Sequence, residues 1–160
     1  MSLDQINKWL IFVANLGVLV GIYFLIAELD QSNRIAEGEA RDRNASAEFQ
    51  LAQLISDNER LLDLSIKLRE SNPELSPVED ELARHLATLY VSNWGKLVVQ
   101  NSTGLLPEKS LSFSQSGIEA TINGYPGLAA YIGDYLEARD ILSSSTNPIW
   151  EAVWKEVQKY

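Results

Sequence analysis

"WLIFVANLGVLVGIYFLIAEL", Trp9 to Leu29, is the stretch on which the reading of this chain turns. Its only polar or charged side chains are Asn15, Tyr23 and Glu28. As a helix rising about 1.5 Å per residue, these roughly 21 residues reach about 31 Å, the thickness of a bilayer's hydrocarbon core. A helix satisfies its own backbone N–H and C=O groups in lipid, and only two glycines weaken one here. Trp9 at one end and Tyr23-Phe24 towards the other suit the interfacial layers, and Lys8 suits a side chain reaching to headgroups. A cleaved signal fits less well. The start "MSLDQINK" offsets Lys8 with Asp4, the apolar run exceeds about 15 residues, and a cut after Ala27 would place Leu25 at the minus-three position. The sequence favours a retained transmembrane helix over a signal peptide or a core helix of a soluble bundle.

Flanking cations give an orientation. Lys8 precedes the run, whereas Arg34, Arg41 and Arg43 follow it, which places the C-terminal side in the cytoplasm. Gly17 and Gly21 form a G-x-x-x-G, a spacing that lets a second helix backbone approach closely. At about 100° per residue, Ala14, Gly17, Gly21 and Glu28 fall within one arc, and Asn15 points away from it. The arc is a candidate helix-packing face, although glycine is also common in spans without such a role. Asn15 either bonds a second intramembrane partner or is a tolerated polar residue. Glu28 is either functional or an interfacial carboxylate in reach of headgroup water.

The bulk composition excludes other classes. With 160 residues the chain has room for one small domain beside the apolar run. The mean hydropathy of −0.10 hides the bunching of apolar residues near the N-terminus. A net charge of −9 argues against nucleic acid as a partner, since phosphates need a basic stripe. No Lys/Arg run follows the span to dock on anionic lipid. Absence of Cys removes disulfides and thiolate metal sites.

Beyond the span the chain reads as helical throughout. Residues 30–72 contain no proline and are mostly helix formers, with Gly38 the weak point. Up to Glu48 this segment is polar nearly all round, as expected of a stalk that packs lightly through alanine. From Phe49 the apolar residues take helical spacing through Leu51, Leu54, Ile55, Leu61 and Leu68, which predicts one helix running from the membrane into a bundle. Pro73 ends it. Ser76-Pro77-Val78-Glu79 is a capping box that opens the next helix, with a face expected over Val78, Leu82, Leu86, Leu89 and Asn93, widened by Tyr90, Trp94, Leu97 and Val98, and a stop at Gly104. Pro107 to Asn123 also reads as helix, Asn123-Gly124 as a stop and Pro126 as a start. "SSSTNPIW" reads as a loop with Asn147 capping a terminal helix. The expected organisation is a tail at 1–8, a transmembrane helix at 9–29, a polar helical stalk at 30–48 and a helical bundle of four or five helices at 49–160. The fold class is all-α.

No constellation for catalysis, cofactor or metal emerges. His85 is the only histidine, and Glu81 one turn before it supplies an ion pair rather than a metal site. It reads as a structural histidine, with a ligand role as the alternative. The aromatics Tyr90, Trp94, Tyr131, Tyr135, Trp150 and Trp154 recur at helical spacing, which suits a core first and a ligand pocket second.

The order "INKWL", "NLGVLVGIYFLIAEL", "DQSNRIAEGEA" and then a small acidic helical domain resembles a broad group of uncharacterised small bacterial single-span membrane proteins. The resemblance is closest over the first fifty residues. It implies a bacterial single-span protein and carries no activity; with the flanking cations, the expected location is the inner membrane with the C-terminal domain in the cytoplasm. The function expected from all of this is a non-enzymatic accessory, assembly or scaffold subunit. Its partners would be the lipid bilayer and another transmembrane helix, from its own copy or a larger integral complex. A membrane-tethered sensor with a ligand-binding bundle is the alternative, and an enzyme with an unrecognised site the third reading.

Overall fold

A computed structural model describes residues 3–141 and 146–160. Among these the fold is all-helical: α1 (Leu3–Ser56), α2 (Glu59–Lys67), α3 (Pro77–Ser102), α4 (Glu108–Gly124), α5 (Pro126–Ala138) and α6 (Pro148–Val157). The chain divides into two compact units, one ending at Glu39 and the other spanning Ala40–Tyr160, so the division falls inside α1 and inside the segment read as a stalk. Leu3 to Lys8, read as a tail, are already helical. The start of the loop expected at "SSSTNP" lies in residues 142–145, outside the described residues.

In the first unit every side chain from Trp9 to Leu29 is exposed, fifteen large apolar or aromatic ones among them. This part of α1 is long and apolar enough to cross a membrane.

The second unit is a bundle built around α5 and α6. Along α5, Leu128, Ala129, Ile132 and Leu136 are fully buried, and along α6, Ile149 and Val153 are too. Both α3 and α4 pack on this pair, and α2 packs on α3. Gly133 lets the central helices close up, since a Cβ there would stand 3.2 Å from Val157 Cγ1. Gly127 marks a second close approach. Its N–H donates to the Leu68 carbonyl at 2.9 Å, and a Cβ would sit 2.5 Å from the Glu70 carbonyl oxygen.

Most helix ends follow the sequence signals. The Ser76–Glu79 capping box forms with both of its bonds, Asn147 accepts from the Ile149 N–H, and Gly104 adopts φ +74°, the left-handed turn that lets Leu105 N–H reach back to the Gln100 carbonyl. One expectation is overturned and one is met in part. The helix predicted to run unbroken to Asn72 stops at Ser56, because Asn58 adopts an extended backbone and its side chain accepts from the N–H groups of Arg60 and Leu61. That break starts α2, whose Leu64 enters the core beside Leu68, just past its end. The buried face expected of α3 holds in part: Leu86, Trp94 and Leu97 are buried and Leu82, Tyr90 and Val98 pack against the core, but Val78 and Leu89 are exposed, while Ala83, Ala87 and Val91 face inward, where small side chains permit the close α3–α5 contact.

Candidate functional site

The residues singled out in the sequence fall into three places. Ala14, Asn15, Gly17, Gly21 and Glu28 all lie on the exposed part of α1. A Cβ built on Gly17 or Gly21 meets nothing within 4 Å, so the small-residue face is unoccupied within the chain.

The aromatics divide. Trp150 and Trp94 belong to the core, at 7% and 5% exposure, and Trp154 is half-buried against it. Tyr131 and Tyr135 are half-buried on the outer side of α5. The Tyr131 hydroxyl donates to Asp80 at 2.7 Å, while Arg84 bonds the other oxygen of that carboxylate at 3.2 Å and stacks over the Tyr131 ring. The bond from Tyr131, aided by Arg84, lowers the Asp80 pKa; burial and the neighbouring carboxylate push the Tyr131 phenol up to about 12. The Tyr135 ring lies 3.9 Å under the Arg139 guanidinium. Such contacts tie α5 to α3 and to its own C-terminus, and both tyrosines pack against the core. His85 belongs to neither core nor pocket. Its side chain is 69% exposed on α3 and pairs with Glu81 at 3.4 Å.

Tyr90 and Trp94 alone of the expected aromatics line an open groove of about 460 Å³ in the second unit. The C-terminal turns of α1, the end of α2, α3 and α4 form its walls. Apolar surface comes from Leu51, Ile55, Leu62, Leu97 and Ile118, with Phe113 exposed at the rim. The reciprocal amide pair between Asn44 and Gln100, at 2.7 and 3.0 Å, sets the register of α1 on α3. Leu54 and Leu89 line one recess, so the two helices run antiparallel and Glu48 stands near Leu97 while Ile55 stands near Tyr90. At the Tyr90 end, burial and the neighbouring Tyr125 push the Tyr90 phenol up to about 12. Arg69 and Tyr125 also line the groove, and they lie one and two residues from the ends of the Leu68–Gly127 bond.

Sequence reasoning named Tyr90 and Trp94 as candidates for a pocket but did not place the groove or its other walls. A further signal was Gly117 in the middle of α4, where glycine costs about 1 kcal/mol against alanine. No close contact requires it, since a Cβ there meets nothing within 4 Å, and the space it leaves is part of the groove.

Glu156 was also missed. It is 1% exposed on α6, accepts from Asn123 at 3.1 Å and pairs with Lys159, while the Tyr160 hydroxyl donates to Asn123. The Lys159 ammonium, with the Asn123 bond, holds this carboxyl below its usual pKa.

The fold and these sites define an all-helical protein with one exposed helix able to cross a membrane and a separate grooved bundle. Compared with known protein families, curated proteins and solved structures, the chain matches none.

Proposed function

We propose that the chain is a non-enzymatic, single-pass protein of the bacterial inner membrane with its bundle in the cytoplasm. It serves as an accessory, assembly or scaffold subunit by packing its span against another transmembrane helix. The observation that carries this reading is the exposure of fifteen large apolar or aromatic side chains between Trp9 and Leu29. Removing each from water is worth about 1.5–3 kcal/mol, so the segment gains on the order of tens of kcal/mol in lipid. Within the bilayer a further partner is held by close packing, and the Ala14, Gly17, Gly21 and Glu28 face offers it. Asn15, off that face, adds a hydrogen bond worth about 1 kcal/mol. The excess of arginine after the span and the resemblance of the first fifty residues support the location and orientation.

Purification in mild detergent followed by mass spectrometry tests the reading, with a stoichiometric partner or a homo-oligomer expected. Gly17→Ile with Gly21→Ile should abolish association in a bilayer assay. Neither position has an intrachain neighbour for the new side chain to strike, so the loss reports on the partner alone. A solitary monomer, or association unchanged by the double substitution, removes this function. The groove supports a second reading, a membrane-tethered ligand sensor.

A further inference from the structure

The groove is unlike a packing defect in the chemistry of its lining. Trp94 is 95% buried by exposure, yet its indole N–H has no hydrogen-bond partner in the chain among the described residues. The same holds for the Tyr90 and Tyr125 hydroxyls and the Asn93 amide. Every side-chain N or O atom that is fully cut off from solvent among the described residues does have a partner. These four groups therefore keep access to open space, and each lines the groove. Polar groups half withdrawn from water and unpaired in the protein are the pattern of a ligand site, in which apolar walls supply affinity and a few polar atoms fix orientation. The Arg69 guanidinium, on the same wall, has no ion-pair partner among the described residues of a chain carrying nine net negative charges.

The charges are also separated along the groove. The Leu68–Gly127 bond and the action of Tyr125 on Tyr90 put Arg69 towards the two tyrosines, and the Asn44–Gln100 register puts Glu48 towards Leu97. An anion is attracted at one end and repelled at the other. The wall between them is hydrocarbon from Leu51, Ile55, Trp94 and Ile118.

We propose that this groove binds an apolar organic monocarboxylate, its carboxylate on Arg69 with the Tyr90 and Tyr125 hydroxyls donating, and its hydrocarbon body lying towards Leu97. The Arg69 guanidinium can only donate and the two phenols can donate beside it, which suits a carboxylate, and a dicarboxylate is disfavoured by Glu48. Gly117 keeps the body's path open. The inference deepens the sensor reading and rests on the bundle alone, so it stands or falls apart from the transmembrane partner.

The test uses the full chain carrying Trp9→Phe in lipid nanodiscs, so that tryptophan emission reports the bundle, with empty nanodiscs subtracted. Sodium octanoate, sodium 2-naphthoate and 1-octanol are titrated. Saturable emission changes are expected with the acids, and weaker ones with octanol. Preference for octanoate assigns an acyl acid and preference for naphthoate an aromatic one. Arg69→Gln should weaken the acid by about tenfold or more and leave octanol unchanged. Gly117→Leu should abolish binding while the bundle melts no lower than the native one, since a Cβ there meets nothing within 4 Å and Gly117 lines the groove. No saturable change with either acid, octanol matching octanoate, or native binding by Arg69→Gln or Gly117→Leu overturns the proposal.

Discussion

Replacing Gly127 by Ala separates steric logic from helix propensity. Propensity alone favours alanine by up to about 1 kcal/mol. The structure reverses the sign. The new Cβ would stand 2.5 Å from the Glu70 carbonyl oxygen and 3.0 Å from Cδ and Cγ of Pro73. Reaching ordinary contact demands a shift of about 0.9 Å between α5 and the turn after α2. The obstacles are backbone and a proline ring, so no rotamer change relieves them. Overpacking of this kind costs about 1–3 kcal/mol. The same shift strains the Gly127–Leu68 hydrogen bond, worth about 0.5–1.5 kcal/mol. The net loss is about 1–3 kcal/mol, a fall of roughly 5–10 °C in Tm for a unit of this size. Gly117→Ala is the internal control. It meets nothing within 4 Å and should raise Tm by a few degrees through propensity alone. Thermal unfolding of the full chain followed by tryptophan emission gives both values. A Gly127→Ala variant at or above the native Tm would refute the close approach of α5 to the α2–α3 connection.

Three further outcomes follow from the bundle. Leu136→Ala, at a fully buried site, should cost about 2–5 kcal/mol in denaturant unfolding, whereas Leu89→Ala, 43% exposed, should stay within about 0.5 kcal/mol. Equal losses would return Leu89 to the buried face of α3 expected from sequence. Asn58→Ala should cost about 0.5–2 kcal/mol, since it removes the bonds to the Arg60 and Leu61 N–H groups; an unchanged midpoint would show that the break before α2 does not depend on its cap. Bonds from Lys67 and Ser76 hold Glu79 at about 2, and Glu156 and Asp80 are also lowered. The unfolded chain therefore binds more protons below the ordinary values of 4.5 and 3.8, and stability present at neutral pH is lost as pH falls through this range. Tm measured from pH 7 to pH 3 should drop below about pH 5, with Glu156→Gln showing a shallower slope. A Tm that is flat between pH 5 and 3 would refute the role of these carboxylates.

Helix starts were legible because they are local. Ser76, Pro126, Asn147 and Pro148 act within one turn of backbone, and the structure uses each as the sequence suggests. The break at Asn58 was equally local and was overlooked, because Asn58 fits the 3.6-residue apolar spacing on either side of it. Its cap geometry, not its place in the periodicity, decides the outcome. The α3 face was legible in part, for a different reason. Periodicity located Leu86, Trp94 and Leu97, which are buried, but the closest helix contacts use small side chains, so Ala83 and Ala87 are buried while Val78 is not. Glu156 shows a third limit. A carboxylate on the last turn of a terminal helix reads as solvated, and only the fold brings Asn123 to it across 33 residues.

The two candidate sites differ in how they are encoded. A membrane span is written contiguously, so its apolar length and its small-residue face are both visible in twenty consecutive residues. The groove draws on α1, α2, α3 and α4, with Glu48 and Tyr125 far apart in sequence. Its signature is a set of absences: polar groups without partners, an arginine without a carboxylate, and a mid-helix glycine without a neighbour. None of these is defined until the chain is folded, because each is a statement about what does not come near. Sequence motifs record what a chain brings together. A groove is space the chain leaves unfilled, and beside the aromatics Tyr90 and Trp94, Gly117 is a position where that space left a trace in the sequence.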